Sequence, residues 1–293
     1  MVAPAAPTEP RANGTAKDER KGTFLDRAVQ ALKLPASSLV VALIIGAVVV
    51  VGIGKNPFDA YGALICGGLA IGCPEGINPA YQLSETIVSM TPLVLAGLAV
   101  AISFRAGLFN IGAQGQLLMG AIFATFAGVY LGSLPGIILI PIVILAGALG
   151  GAIWGGIVGV LKATTGANEV VTTIMLNYIA LYFEKYLVVG GPFQLPNLTS
   201  TSPSISDSAK LPHLLPASGE VFGLPGSVFR VNLGIIIALL IAWGFWFLMQ
   251  RTSLGYEIRA VGQSQRAARY AGVSVRSNII VTMLIAGALA GVA

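Results

Sequence analysis

Pro135–Leu161 reads PGIILIPIVILAGALGGAIWGGIVGVL, an unbroken apolar run without a charged side chain. At a rise of about 1.5 Å per residue, a helix of this length outreaches the roughly 30 Å of hydrocarbon in a bilayer. Pro141 inside the run predicts a tilt or kink, which takes up the excess length. Lys162 closes the run on one side, and the stretch Gly132-Ser-Leu-Pro135 precedes it. In water a run of this kind has no counterpart to bury it, whereas lipid requires it.

The same texture extends outward in both directions. Only 10% of the residues are charged and 55% are apolar, against about a quarter charged in soluble domains. The apolar blocks predict further spans at about Ser37–Gly54, Ile87–Phe104 with Pro92 inside, Leu117–Gly132, Val170–Val189, Val231–Met249, and from Ile279 onward. A glycine-rich stretch, Ala60–Cys73, is too short for a span and reads as a half-helix on the outer surface. Each segment must satisfy its own backbone hydrogen bonds in lipid, so the spans are expected to be helices. The period-two alternation of a membrane barrel is absent. The expected fold is therefore all-α, a polytopic transmembrane helical bundle of about seven spans. Ala293 falls inside the last of them, which predicts that the C-terminus is truncated and that further helices follow.

Residues 1–36 are expected to form a cytoplasmic tail, disordered over Met1–Thr23 and amphipathic over Phe24–Leu34, ahead of a membrane domain, 37–293. Lys and Arg orient the bundle. With the N-terminus inside, the inner segments hold Arg105, Lys162, Arg251, Arg259, Arg266, Arg269 and Arg276 besides the tail charges. The outer side keeps only Lys55, Lys185, Lys210 and Arg230. The net charge of +5 thus reflects topology and does not require nucleic acid. Cys66 and Cys73 share an outer loop, where a disulfide is possible. Two small apolar residues in a half-helix is the favoured reading of that pair. His213 is the single histidine, and no metal cluster is expected.

Four stretches carry candidate working residues. Gly147, Gly151, Gly155 and Gly159 recur every fourth residue on one helix face and predict close helix packing. Gly128 with Gly132, and Gly287 with Gly291, repeat the spacing. Between two spans, Arg105–Gln116 combines Gly107, Gly112 and Gly115 with the amides Asn110, Gln114 and Gln116. Broken backbone with amides builds polar solute sites at membrane depth; an ordinary turn anchored by Arg105 is the alternative. Asn168, Glu169, Thr172, Thr173 and Asn177 carry polar character into a span at helical spacing. They line a path or hold helices together, and Glu169 also suits a helix N-terminus.

The fourth stretch is the arginine-rich loop, 251–276. Ser264 predicts a cap for a short helix Gln265–Ala271 that Gly272 ends. Ala267, Ala268 and Ala271 make a small-residue face fit for a partner's groove, with Arg259, Arg266 and Arg269 for acidic groups there. A positive-inside loop against lipid is the plainer reading of the charge. The sequence holds no phosphate-binding loop, no His-Glu-x-x-His and no Ser/His/Asp set. The chain is therefore not expected to be an enzyme, and any energy source lies in another protein.

Three of these stretches also carry a resemblance: Gly97-LAVAISFRAGLFNI-Gly112, Gly166-ANEVVTTIMLNY-Ile179, and Gly255-YEIRAV-Gly262 with Ala267-ARYA-Gly272. They resemble permeases of ABC importers of the branched-chain amino acid/ribose group, nearest to the purine nucleoside and simple-sugar permeases, over roughly residues 40–293. The resemblance implies a multi-pass permease of the cell membrane that binds no cofactor itself. It implies a cytoplasmic ATPase that uses ATP, a second permease subunit and an extracytoplasmic solute-binding (lipo)protein. It also implies that the Ser264–Gly272 helix, with Gly262, couples to the ATPase. Gln114 stands where many nucleoside-type members carry Glu, which leaves a carboxylate role there unsupported. Uncharged amides suit a small neutral solute, a nucleoside by resemblance. Two other classes fit the composition. One is an ion-gradient-driven secondary transporter, which needs ionisable groups in mid-span where only Glu169 and Glu184 are near. The other is a structural membrane protein.

Overall fold

The computed structural model describes residues 24–194, 203–214, 220–221, 224–225 and 229–293. The expected disordered tail lies outside them. Ten α-helices stand among the described residues: α1 (Phe24–Gly52), α2 (Pro57–Leu69), α3 (Pro79–Arg105), α4 (Ala113–Tyr130), α5 (Gly136–Thr165), α6 (Glu169–Val188), α7 (Gly234–Arg251), α8 (Ser253–Gln263), α9 (Gln265–Tyr270) and α10 (Val275–Val292). A helix stands at every expected span. Five of them, over Pro35–Gly52 in α1 and in α3, α5, α7 and α10, are long and apolar enough to cross a membrane. The polar residues that Gln114 and Gln116 bring to α4, and Glu169, Glu184 and Lys185 to α6, lower the apolar character of those two helices. The chain is a polytopic helical membrane protein. An antiparallel pairing of Glu220–Val221 with Leu224–Pro225 is a small exception to the all-helical expectation.

The chain divides into two compact units that part between Ile65 and Cys66. In the first, α1 starts at Phe24 and continues through Pro35 into the span, so the expected short helix, Phe24–Leu34, is continuous with the span. The Tyr61 hydroxyl donates to the Leu43 carbonyl.

In the second unit, positive φ at Ala70 and Gly72 turns the chain back after α2. The turn brings the Cα atoms of Cys66 and Cys73 to 4.8 Å, and the two cysteines form a disulfide. This corrects the reading of two unlinked apolar residues. The turn that makes the bridge possible leaves no periodic signal in the sequence. α3 begins two turns earlier than its apolar run, because Asn78 caps it, accepting from the Ala80 N–H at 2.9 Å, and Pro79 suits the first helical turn. Thr86 ties α3 back to the Gly67 carbonyl at 3.1 Å.

Packing centres on α4, α5 and α10. The expected glycine face of α5 meets the glycines of α10. A Cβ built on Gly151 collides with the Gly287 carbonyl, and one on Gly287 with the Gly151 carbonyl. A Cβ on Gly147 stands 2.7 Å from the Gly291 oxygen. Gly155 abuts Met283, and Gly159 faces Ile280 at 3.0 Å. Without a hydrophobic force between helices in lipid, this backbone approach is the main source of packing energy. Gly128 and Gly132 serve a different neighbour, Ile205 and Ser206 of the long connecting loop. That loop is tied down there, with Ser206 and Ser208 donating to the Gly132 carbonyl at 3.2 and 3.3 Å. Outward faces carry large apolar side chains, such as Ile137 at 89% and Leu93 at 70% exposure, as lipid demands. The buried core gathers where α3, α8 and α10 meet, around Ile102, Ile258, Val261, Ile279 and Met283.

Candidate coupling helix and polar gate

The arginine-rich loop folds into two helices. Thr252 caps α8 through the Gly255 N–H at 3.1 Å, and Ser264 caps α9 through the Ala267 N–H at 3.3 Å. α9 ends in a Schellman turn. Gly272 has φ +82°, its N–H meets the Arg269 carbonyl, and the Val273 N–H meets that of Ala268. The short helix, its cap and its terminating glycine lie where the sequence puts them. α8 does not figure in the sequence reading, although Leu254, Ile258 and Val261 mark an apolar face at helical spacing.

The side chains of α9 divide sharply. Arg266, Ala267, Arg269 and Ala271 are exposed, and Tyr270 is 94% exposed. Ala268 is 2% exposed and belongs to the core, which removes it from the expected partner-facing side. The cause is local: the Schellman turn packs the residue after the glycine, Val273, back over the last turn, where Ala268 sits. Ala267 and Ala271, one turn apart, keep the outer side.

α8 is clamped on several sides. Gly255 lies against the Leu248 carbonyl so tightly that a Cβ has no room. Asn278 of α10 donates to Glu257 at 2.8 Å. Gly262 packs on the backbone at the end of α3, where an added Cβ collides with the Arg105 carbonyl. Arg259 turns sideways, half-buried, and donates to Gln250 at 3.1 Å.

The chain that Gly262 touches leads into the amide cluster. α3 closes with a second Schellman turn at Gly107, φ +71°, with Leu108 N–H on the Ser103 carbonyl at 2.9 Å. Asn110 then folds over the start of α4. Its oxygen accepts from the Gly112 N–H at 3.0 Å, and its amide pairs reciprocally with Gln116 at 3.3 Å in both directions. Asn177 of α6 completes the cluster by accepting from the Gly115 N–H and donating to the Ile111 carbonyl, each at 2.9 Å. Gly112 leaves just enough room for Thr173, at 3.1 Å from a built Cβ.

Asn110 is 2%, Gln116 1% and Thr173 0% exposed. They face one another and not open space. Gln114 is exposed and outside the cluster. Asn168, Glu169 and Thr172 gather instead at the start of α6. Asn168 caps the helix by accepting from the Val170 N–H at 3.0 Å, Thr172 donates to the Asn168 carbonyl at 2.9 Å, and Glu169 pairs with Lys162 at 2.7 Å. Trp154, not singled out by sequence, brings its indole Nε1 to 3.2 Å from a Cβ built on Gly115, and that nitrogen is buried without a partner among the described residues.

Beyond the cluster the α4–α6 seam opens. A cavity of about 130 Å³ is lined by Leu118, Ala121, Thr125, Glu184, Leu187 and Phe193 among others. Gln114, Leu118, Ala121 and Thr125 follow one another on one face of α4. The seam is thus open at one end and closed by hydrogen bonds at the end nearer α8. A wider cleft of about 410 Å³ lies between α3, α5 and the connecting loop, with Lys210, His213, Arg230 and Asn232 in its wall. Beside it Arg230 stands 3.5 Å from Glu85. Only the long-range closure of the loop brings these groups together.

Residues 82–293 match the family described as the branched-chain amino acid transport system permease component. The chain is 39% identical to the guanosine ABC transporter permease protein of Bacillus subtilis, over 89% of this chain and 70% of the relative. It is 36% identical to the glucose ABC transporter permease protein of Haloferax volcanii, over 87% and 65%. It is 34% identical to the nucleoside ABC transporter permease protein of Lactococcus lactis, over 88% and 68%. The chain therefore spans about two thirds of the length of these relatives. No solved structure matches it. The match over most of its length makes the chain a member of the branched-chain amino acid transport system permease family, a membrane-spanning permease subunit for substrate import.

Proposed function

We propose that this permease carries a nucleoside inward as one half of an ATP-driven importer. The observation that carries the reading is one continuous contact path. The free face of α9 continues into α8, α8 rests through Gly262 on the Arg105 backbone, and the loop that follows holds the Asn110–Gln116–Asn177 cluster closed. A cytoplasmic ATPase docks on Arg266, Ala267, Arg269, Ala271 and Gly272. Its nucleotide-driven closure shifts α8, and Gly262 passes the shift to the gate. A second permease subunit forms the other half, and an extracytoplasmic binding protein delivers the solute. ATP is used by the partner alone. The permease lies in the cell membrane with its N-terminus in the cytoplasm, residues 1–36 as a tail, 37–293 as the membrane domain and 251–276 as its coupling loop.

In this reading Gln114 and Thr172 meet the solute, while Asn110, Gln116, Thr173 and Asn177 form the gate and Asn168 with Glu169 fixes the start of α6. The guanosine and nucleoside permeases among the relatives support the solute class, and uncharged hydrogen-bonding groups suit it. The test is uptake of labelled guanosine by proteoliposomes holding the full-length permease with its companion permease, ATPase and binding protein. ATP-dependent uptake, blocked by other nucleosides but not by glucose, ribose or leucine, is expected. Inhibition by glucose and not by nucleosides would transfer the solute to sugars. Uptake that survives ATP depletion and collapses with an uncoupler would overturn the ATP-driven reading in favour of an ion gradient.

A further inference from the structure

The corner where α3 and α7 end and α8 passes holds a pocket of about 160 Å³ lined by Arg105, Phe245, Trp246, Met249, Gln250 and Arg259. Two arginines line one small space. Neither makes an ion pair among the described residues. Arg259 spends one N–H on Gln250 at 3.1 Å, and a guanidinium has five to give. Glu257, the nearby carboxylate of α8, is engaged with Asn278 at 2.8 Å. Two like charges lining one pocket call for an anion between them, and arginine forks match phosphate oxygens.

The second observation is the surface that leads to the pocket. Leu239, Leu240, Trp243, Trp246 and Phe247 are exposed at 59, 62, 64, 50 and 47% and recur at helical spacing along α7. They make an apolar stripe on a helix long enough to span the membrane, and the stripe runs into the pocket at Trp246. An acyl chain fits the stripe and a phosphate fits the arginines. We infer that Arg105 and Arg259 hold the phosphate of an anionic phospholipid whose acyl chain lies along the Trp243–Phe247 face of α7. Basic pockets between spans on the positive side of a bundle take headgroups in this way. The backbone of Arg105 is what Gly262 rests on, so a bound headgroup pins the two elements together at their contact. This site does not depend on the identity of the solute.

The full-length protein, purified in neutral detergent, is titrated with phosphatidylglycerol, phosphatidylcholine and inorganic phosphate, and bound lipid is counted by native mass spectrometry. Phosphatidylglycerol is expected to bind more tightly than phosphatidylcholine, with the preference falling about fivefold in Arg105→Gln and again in Arg259→Gln, and vanishing in the double variant. Arg266→Gln, on the exposed face of α9, keeps the full preference and controls for net charge. Arg105→Lys and Arg259→Lys, which keep the charge, retain part of it and control for folding. Equal loss in Arg266→Gln would reduce the preference to net charge and overturn the site. Inorganic phosphate displacing phosphatidylglycerol at matched concentration would assign the pocket to free phosphate and overturn the lipid.

Discussion

Asn177 shows how much one side chain does here. It serves the Gly115 N–H and the Ile111 carbonyl at once, across two segments far apart in sequence. Asn177→Leu keeps the branched side-chain skeleton and strands both groups, at about 1–3 kcal/mol each where no water replaces the partner. The expected result is a fall of several degrees in the melting temperature of the detergent-solubilised protein, together with loss of gated uptake. An unchanged melting temperature would mean that the cluster is not a closed seam. Gln114 predicts the opposite. It is exposed, so Gln114→Glu should leave stability within about 0.5 kcal/mol while changing guanosine uptake. A folded variant with unaltered uptake would remove Gln114 from the path. The amide residues were recognisable by type from sequence, because three amides between apolar blocks are unusual. Their pairing was not, since Asn110 and Gln116 meet only when the Gly107 turn folds one over the other.

At the scale of elements, the proposed mechanism makes α8 and α9 one lever with two different ends. Gly262→Ala puts a methyl group into the Arg105 carbonyl. The helix must move away from α3, and the proposed drive to the gate is expected to be lost. Arg269→Ala alters only the exposed face of α9. The two variants should separate in one experiment. Gly262→Ala copurifies with the ATPase but no longer lets the loaded binding protein stimulate it, whereas Arg269→Ala loses the ATPase on purification. Wild-type uptake by both would end the coupling role. The α9 helix was legible because Ser264 and Gly272 are strong local signals that depend on a few neighbouring residues. Ala268 was misplaced for the same reason: three alanines look equivalent along a helix until the turn after it folds Val273 back onto one of them.

Over the whole molecule, the bundle is held where α5 and α10 touch backbone to backbone. Gly151→Val places branched carbons against the Gly287 carbonyl. Overpacking of this kind costs about 1–3 kcal/mol or more when the neighbour is rigid backbone. The variant should melt well below the wild type, while Gly67→Ala, with open space around it, should not. The disulfide tests orientation. Intact cells treated with a mild reductant should become labelled at Cys66 and Cys73 by a membrane-impermeant maleimide, and labelling only after lysis would reverse the proposed topology.

The sequence by itself determined the membrane class, the approximate positions of the expected spans and the face of α5 that packs. Each of these follows from hydrophobicity and spacing within one segment, and lipid enforces them on every segment separately. Tertiary structure alone decided that Gly262 rests on Arg105, that the amides close a seam between α4 and α6, that Cys66 reaches Cys73, and that Arg105 and Arg259 share a pocket. Those relations join residues whose partners are set by how helices are rotated and stacked. Rotation in a bundle is chosen by close backbone packing, which a single segment does not reveal.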